Sequence, residues 1–148
     1  MMKRSTRVDA QTVRWTVVAV SFVAYVASFF LPVVGDASYA DEVESATYLG
    51  AEAFIFGLLL GPFAWPAWVS NFTLLITWIA YLIPMPRAAL VLALSTVLLA
   101  LSSLYVLLSV EAPLRFGYFL WLFASVLMAV ATIGEGWMVR RQPRPSSS

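Results

Sequence analysis

The stretch AALVLALSTVLLALSSLYVLLSV, residues Ala88 to Val110, runs for 23 residues without a charged side chain. A helix needs about 20 apolar residues to cross the hydrocarbon core of a bilayer, so this run is long enough to span one. Within it Ala89, Ala93, Thr96, Ala100 and Ser103 recur at spacings of four, three, four and three, which places them on one face of a helix. Helices in lipid gain little by burying apolar surface against each other; they associate through close approach of small residues. This stripe is therefore expected to be a helix–helix contact. Ser95, Ser102 and Ser109 follow at seven-residue intervals on an adjoining stripe, a pattern that suits left-handed packing.

Working outward, three further apolar runs flank this one. Trp15 to Leu31 is closed by Pro32, Ala67 to Ile83 stops at Pro84-Met85-Pro86, and Leu114 to Ile133 ends at Gly134-Glu135-Gly136. Proline after a run ends a helix because it lacks the donor and crowds the preceding turn. Shorter small-residue stripes recur at Ser21, Ala24 and Ser28, and at Ala124 and Ala131 with Met128 between them. Hydrophobic residues make up 61% of the 148 and charged residues 11%, against about 25% charged in soluble domains. So little charge cannot cover a water-soluble fold, and the bilayer is the expected solvent. The predicted organisation is a basic N-terminal segment over residues 1–14, a transmembrane domain over 15–137 and a disordered tail over 138–148. Spans are expected at 15–31, 67–83, 88–110 and 114–133, with an outer loop and short helix over 33–66.

Charge sets the direction. With the N-terminus inside, the inner segments hold eight basic and two acidic residues, a balance of +6, and the outer segments one basic and six acidic, −5. The Lys/Arg bias determines topology, so both termini are expected in the cytoplasm of a bacterial inner membrane. The apolar stretch Ala51 to Phe63 is too short to span, and counting it would export Arg140, Arg141 and Arg144. It reads as an interfacial or re-entrant outer-leaflet helix. The expected fold is thus all-α: an integral membrane four-helix bundle, N-in/C-in, with a short extra helix before the second span. The basic start, the first apolar run and the small-x-small sequence Ser38-Tyr39-Ala40 also fit a signal peptide; the length of the run and the early Pro32 favour a retained span.

Cysteine and histidine are both absent, which removes disulfides, thiolate chemistry, the common zinc sites and the usual neutral-pH acid–base group. No ionisable residue lies in the middle of a span, which argues against an ion-coupled transporter or voltage sensor. The near-zero net charge implies no nucleic-acid partner. Four acids, Asp36, Asp41, Glu42 and Glu44, share one outer loop but lack the spacing of a calcium loop, so neither metal nor cofactor is expected. Polar and aromatic residues converge only at the outer rim. Candidate ligand-binding residues there are Glu52, Trp65, Trp68, Asn71, Glu111, Arg115, Tyr118 and Trp121, pictured as a shallow pocket floored by rings with Asn71 as its polar point. Each also has a plain structural role: Glu52 as a first-turn acid, Glu111 and Arg115 as a surface ion pair, Asn71 as an interhelical bond, and the rings as interfacial anchors. Candidate packing residues are Ala89, Ala93, Ala100 and Ser103, together with Gly57 and Gly61, whose four-residue spacing admits a close neighbour, one of the chain's own spans before a second copy.

Three local patterns carry a resemblance: Leu31-Pro32-Val33 leading to Gly50-Ala51-Glu52-Ala53-Phe54 and Gly57; Trp68-Val69-Ser70-Asn71; and Gly117-Tyr118-Phe119-Leu120-Trp121-Leu122. In these the chain resembles small uncharacterised bacterial membrane proteins with four transmembrane helices. It departs from them at Phe72, where their more usual residue is proline. The resemblance implies four spans and marks Asn71, Gly117, Tyr118 and Trp121; it implies no chemistry. With small loops, packing stripes and an uncharged core, the first functional expectation is a non-enzymatic accessory or assembly subunit of a larger membrane complex. The alternative is an outer-leaflet module that binds a lipid or small apolar ligand. An enzyme using Glu52 or Glu111 as base lacks a second catalytic group.

Overall fold

A computed structural model describes residues 3–35, 47–59, 65–109 and 113–140. Helix α1 covers Lys3–Phe29, α2 Gly50–Leu59, α3 Trp65–Leu82, α4 Pro86–Ser109 and α5 Phe116–Arg140. Three of these contain segments long and apolar enough to cross a membrane: Ala10–Phe29, Pro86–Ser109 and Phe116–Trp137. Helix α3 is not among them. It has only 18 residues, and Ser70, Asn71, Thr73 and Thr77 interrupt its apolar character.

Two helices outrun the apolar runs that define them. Helix α1 begins twelve residues before Trp15, because no proline or glycine between Lys3 and Arg14 breaks a helix. Helix α5 was expected to stop at Gly134; it continues through Gly134 and Gly136 to Arg140. Glycine inside a helix costs about 0.5–1 kcal/mol relative to alanine, and here Glu135, between the two glycines, forms an ion pair with Arg14 of α1. A methyl group at Gly134 would meet nothing within 4 Å. Gly134→Ala is therefore expected to stabilise the protein by about 0.5–1 kcal/mol, read as a later midpoint when the protein in mixed micelles is titrated with SDS.

The all-α expectation needs one correction. Strands β1 (Pro32–Gly35) and β2 (Thr47–Leu49) form a small antiparallel sheet between α1 and α2. Pro32 faces Leu49, Val34 faces Tyr48 and Gly35 faces Thr47, with an irregularity between Pro32 and Val34. Pro32 has no N–H for the ladder, so an irregularity there is where a sheet tolerates it. On its other edge β1 bridges from Val34 to Leu114, and Arg115 N–H donates to Val33 O at 3.0 Å. The strand after the first helix thus holds the entry to the last. Gly117, in the first turn of α5, sits so close that a Cβ there would lie 2.8 Å from Leu31 O, Pro32 O and Val33 Cγ1.

Helix α1 packs on α5, α5 on α4, and α4 on α3, and the helices alternate in direction: the start of α1 meets the ends of α3 and α5 at Arg14–Tyr81 and Arg14–Glu135, and the start of α5 meets the later half of α4 at Tyr118–Ala100. Small and hydroxyl residues make these contacts. Ala89, Ala93, Thr96, Ala100 and Ser103 are the buried residues of α4. Ser21 is fully buried at a junction of three helices: its hydroxyl donates to Ala124 O of α5 at 3.0 Å and accepts from Trp78 Nε1 of α3 at 3.0 Å. Thr96 Oγ1 lies 2.9 Å from Thr73 Oγ1 across α3 and α4. The serines of the adjoining stripe behave differently. Ser102 and Ser109 are exposed and return their hydroxyls to Leu98 O and Val106 O, the usual way a helical hydroxyl satisfies itself. Large apolar side chains face outward instead, with Val23, Leu98 and Val130 each more than 60% exposed. A surface this apolar suits lipid and not water.

Candidate functional site

The ends of α1 and α4, the starts of α3 and α5, and the β1–β2–α2 segment meet at one end of the molecule around a cavity of about 730 Å³. Sites for small molecules fall in the range of about 300–1,000 Å³. Two groups of rings form its walls. On one side Phe29, Phe54 and Trp68 follow one another at centroid spacings of 5.7 and 6.4 Å, from α1 to α2 to α3. On the other, Tyr118 and Trp121 of α5 stand 5.4 Å apart, both buried.

Asn71 joins the two walls. Its Oδ1 accepts from Trp121 Nε1 at 2.8 Å, and its Nδ2 donates to Ala67 O one turn back at 3.0 Å. The indole N–H is donor-only and the carbonyl acceptor-only, so this amide orientation is the one the chemistry permits. Tyr118 Oη donates to Ala100 O at 3.1 Å and lies 3.3 Å from Ser103 Oγ. Ser103 and Ser28 give their own protons to Ala100 O and Tyr25 O. Trp68 is the exception: its Nε1 is buried and has no hydrogen-bond partner among the described residues. Buried polar groups are almost always paired.

Of the residues expected at the site, the structure brings Trp68, Asn71, Tyr118 and Trp121 to the cavity wall. Three do not line it. Glu52 is exposed and accepts from Leu49 N–H at 2.9 Å, the return bond that an acid at the third helical position makes to the capping residue. Trp65 is exposed at the head of α3. Arg115 is exposed, and its backbone N–H docks on β1. Glu111 and Gly61 lie outside the described residues, as do Asp36, Asp41, Glu42 and Glu44; Gly57 lies within α2. Phe29, Phe54, Tyr48 and Ser28 also line the cavity and were not singled out as site residues. Phe29 ends the helix that leads into the small sheet and Tyr48 lies in its second strand, and the sequence did not signal that sheet's pairing. Among the described residues no group of His, Cys, Asp or Glu gathers to hold a metal ion.

A second cluster lies at the opposite end. Arg14 of α1 and Glu135 of α5 form an ion pair with side chains only 24% and 15% exposed, and the Arg14 guanidinium stands 5.9 Å from the centre of the Tyr81 ring of α3. The sequence placed both charges on the inner side without pairing them. Comparison of the chain with protein-family models, with curated proteins and with solved structures finds no match.

Proposed function

We propose that this chain is a non-enzymatic membrane module that holds a lipid or small apolar molecule in the cavity between Trp68, Asn71, Tyr118 and Trp121. One observation carries this: a cavity of about 730 Å³ walled by rings, with an indole N–H that has no partner among the described residues. Association as an accessory subunit has less to support it, because the small-residue stripes that helped to motivate it are taken up by the chain's own helices. We further propose four crossings of a bacterial inner membrane, with α3 as the short one and both chain ends cytoplasmic. The alternating helix directions and the surplus of basic residues toward one end support this. A reporter fused to the C-terminus is expected to be active only in the cytoplasm; periplasmic activity would reject the arrangement.

The binding role is tested by native mass spectrometry of protein extracted from its own membranes in mild detergent. A bound non-protein mass is expected. Asn71→Ala removes the acceptor of the Trp121 indole, and Trp121→Ala removes a wall of the cavity. Either is expected to reduce occupancy about tenfold, equivalent to ~1.4 kcal/mol. Full retention in both variants would reject this cavity as the site.

A further inference from the structure

The polar hydrogens around the cavity restrict what it can hold. Ser28 donates to Tyr25 O at 2.6 Å, Ser103 to Ala100 O at 2.7 Å and Tyr118 to Ala100 O at 3.1 Å. Trp121 donates to Asn71 Oδ1 at 2.8 Å. Asn71 Nδ2 carries two hydrogens and directs one at Ala67 O. Trp68 Nε1–H has no partner among the described residues. An unmatched buried donor is costly, whereas a hydroxyl oxygen already in one bond is not. What the site lacks is therefore an acceptor.

Charge narrows the choice further. No charged side chain lines the cavity among the described residues, so a buried carboxylate or phosphate would find no counter-ion, a large penalty. The acceptor must be neutral and the rest of the occupant apolar. Depth points to its source. Trp68 is three residues into α3, about 5 Å below the helix end at 1.5 Å per residue. With α3 as a crossing, as proposed above, that level falls at the interface between headgroups and hydrocarbon, where lipid acyl esters lie.

We infer that the cavity receives the acyl chain of an ester-linked lipid, with its carbonyl oxygen facing Trp68 Nε1–H and its charged headgroup outside. This rests on the ligand-binding role proposed above. The test uses the purified full chain in detergent and two probes: a phosphatidylcholine with ester-linked oleoyl chains, and the diether lipid of the same chain length, which has no carbonyl. Binding is read by native mass spectrometry. The ester lipid is expected to bind about threefold to tenfold more tightly, the worth of one neutral hydrogen bond. Trp68→Phe is expected to bring the ester lipid down to the level of the ether lipid and leave the latter unchanged. Should the phenylalanine variant fail to fold, benzothienylalanine at position 68 replaces N–H by sulfur at nearly constant shape. Equal binding of the two lipids to the native chain would overturn the acceptor inference while leaving the cavity intact. Retained preference for the ester in the folded Trp68 variant would overturn it as well. Ala53→Phe, which projects a ring into the cavity, is expected to weaken binding of both lipids alike; unchanged binding of both would instead reject the cavity as the site.

Discussion

Gly50→Ala is expected to destabilise the protein by about 3 kcal/mol, the upper end of what overpacking costs, and to release whatever the cavity holds. Gly50 opens α2 where that helix crosses the end of α1. An added Cβ would coincide with Ser28 O and lie 2.8 Å from Phe29 Cα and Ser28 C. All three are backbone atoms, so no change of rotamer relieves the clash. Gly50 N–H also donates to Leu31 O at 3.1 Å, which ties the position to the same turn it would collide with. The start of α2 must lift, and with it Phe54, which packs against Phe29 at 5.7 Å and continues the wall toward Trp68. Tryptophan fluorescence along an SDS titration measures the stability, and native mass spectrometry measures the bound mass. A Gly50→Ala protein with native stability would show that α2 is not seated on α1 in this way. The contrast with Gly134→Ala is informative, because the same chemical change there meets empty space and is expected to have the opposite sign.

The helices were legible because the apolar runs are long and their punctuation is strong. Pro84 and Pro86 bracket the turn between α3 and α4, and the α4 stripe needs only a spacing rule to be read. The ends were less legible, since apolar length measures the bilayer and not the helix. Lys3 to Arg14 forms helix on ordinary propensity, and the Gly134–Arg140 turn extends alongside a charge partner 121 residues away in sequence. The sheet was illegible for a related reason. Three or four residues carry too little alternation to register, and the pairing of Val34 with both Tyr48 and Leu114 is set by where three helices end.

The candidate site divided along the same line. Asn71, Tyr118 and Trp121 stood out because a polar amide and hydrogen-bonding rings just inside apolar helices have few roles, and these three line one cavity. Glu52 and Arg115 stood out only for being charged, and charge near a helix end is as easily a cap or a surface group, as Glu52 proves to be. Phe54 and Ser28 were missed because nothing local distinguishes a ring or hydroxyl that faces a cavity from one that faces lipid or a neighbouring helix.

The second large effect is expected at the opposite end. Arg14→Leu or Glu135→Leu alone should each cost about 3 kcal/mol, because removing one member of a largely buried pair leaves the other charge uncompensated. The side chains are 24% and 15% exposed, and each helix brings only its own member to the contact: α1 the arginine, α5 the glutamate. The pair also lies between the two glycines through which α5 stays helical. Arg14 has a second contact, the face of Tyr81 at 5.9 Å, of a kind that contributes about 0.5–2 kcal/mol. The loss should therefore be somewhat greater for Arg14→Leu than for Glu135→Leu, and Tyr81→Leu should narrow the gap. The double variant Arg14→Leu/Glu135→Leu should recover most of the stability, since an apolar pair often replaces a buried ion pair without loss. A double-mutant cycle by SDS titration measures the coupling directly. Additive losses in the double variant would mean that the two charges are solvated separately and that the helix through Gly134 and Gly136 is held by something else.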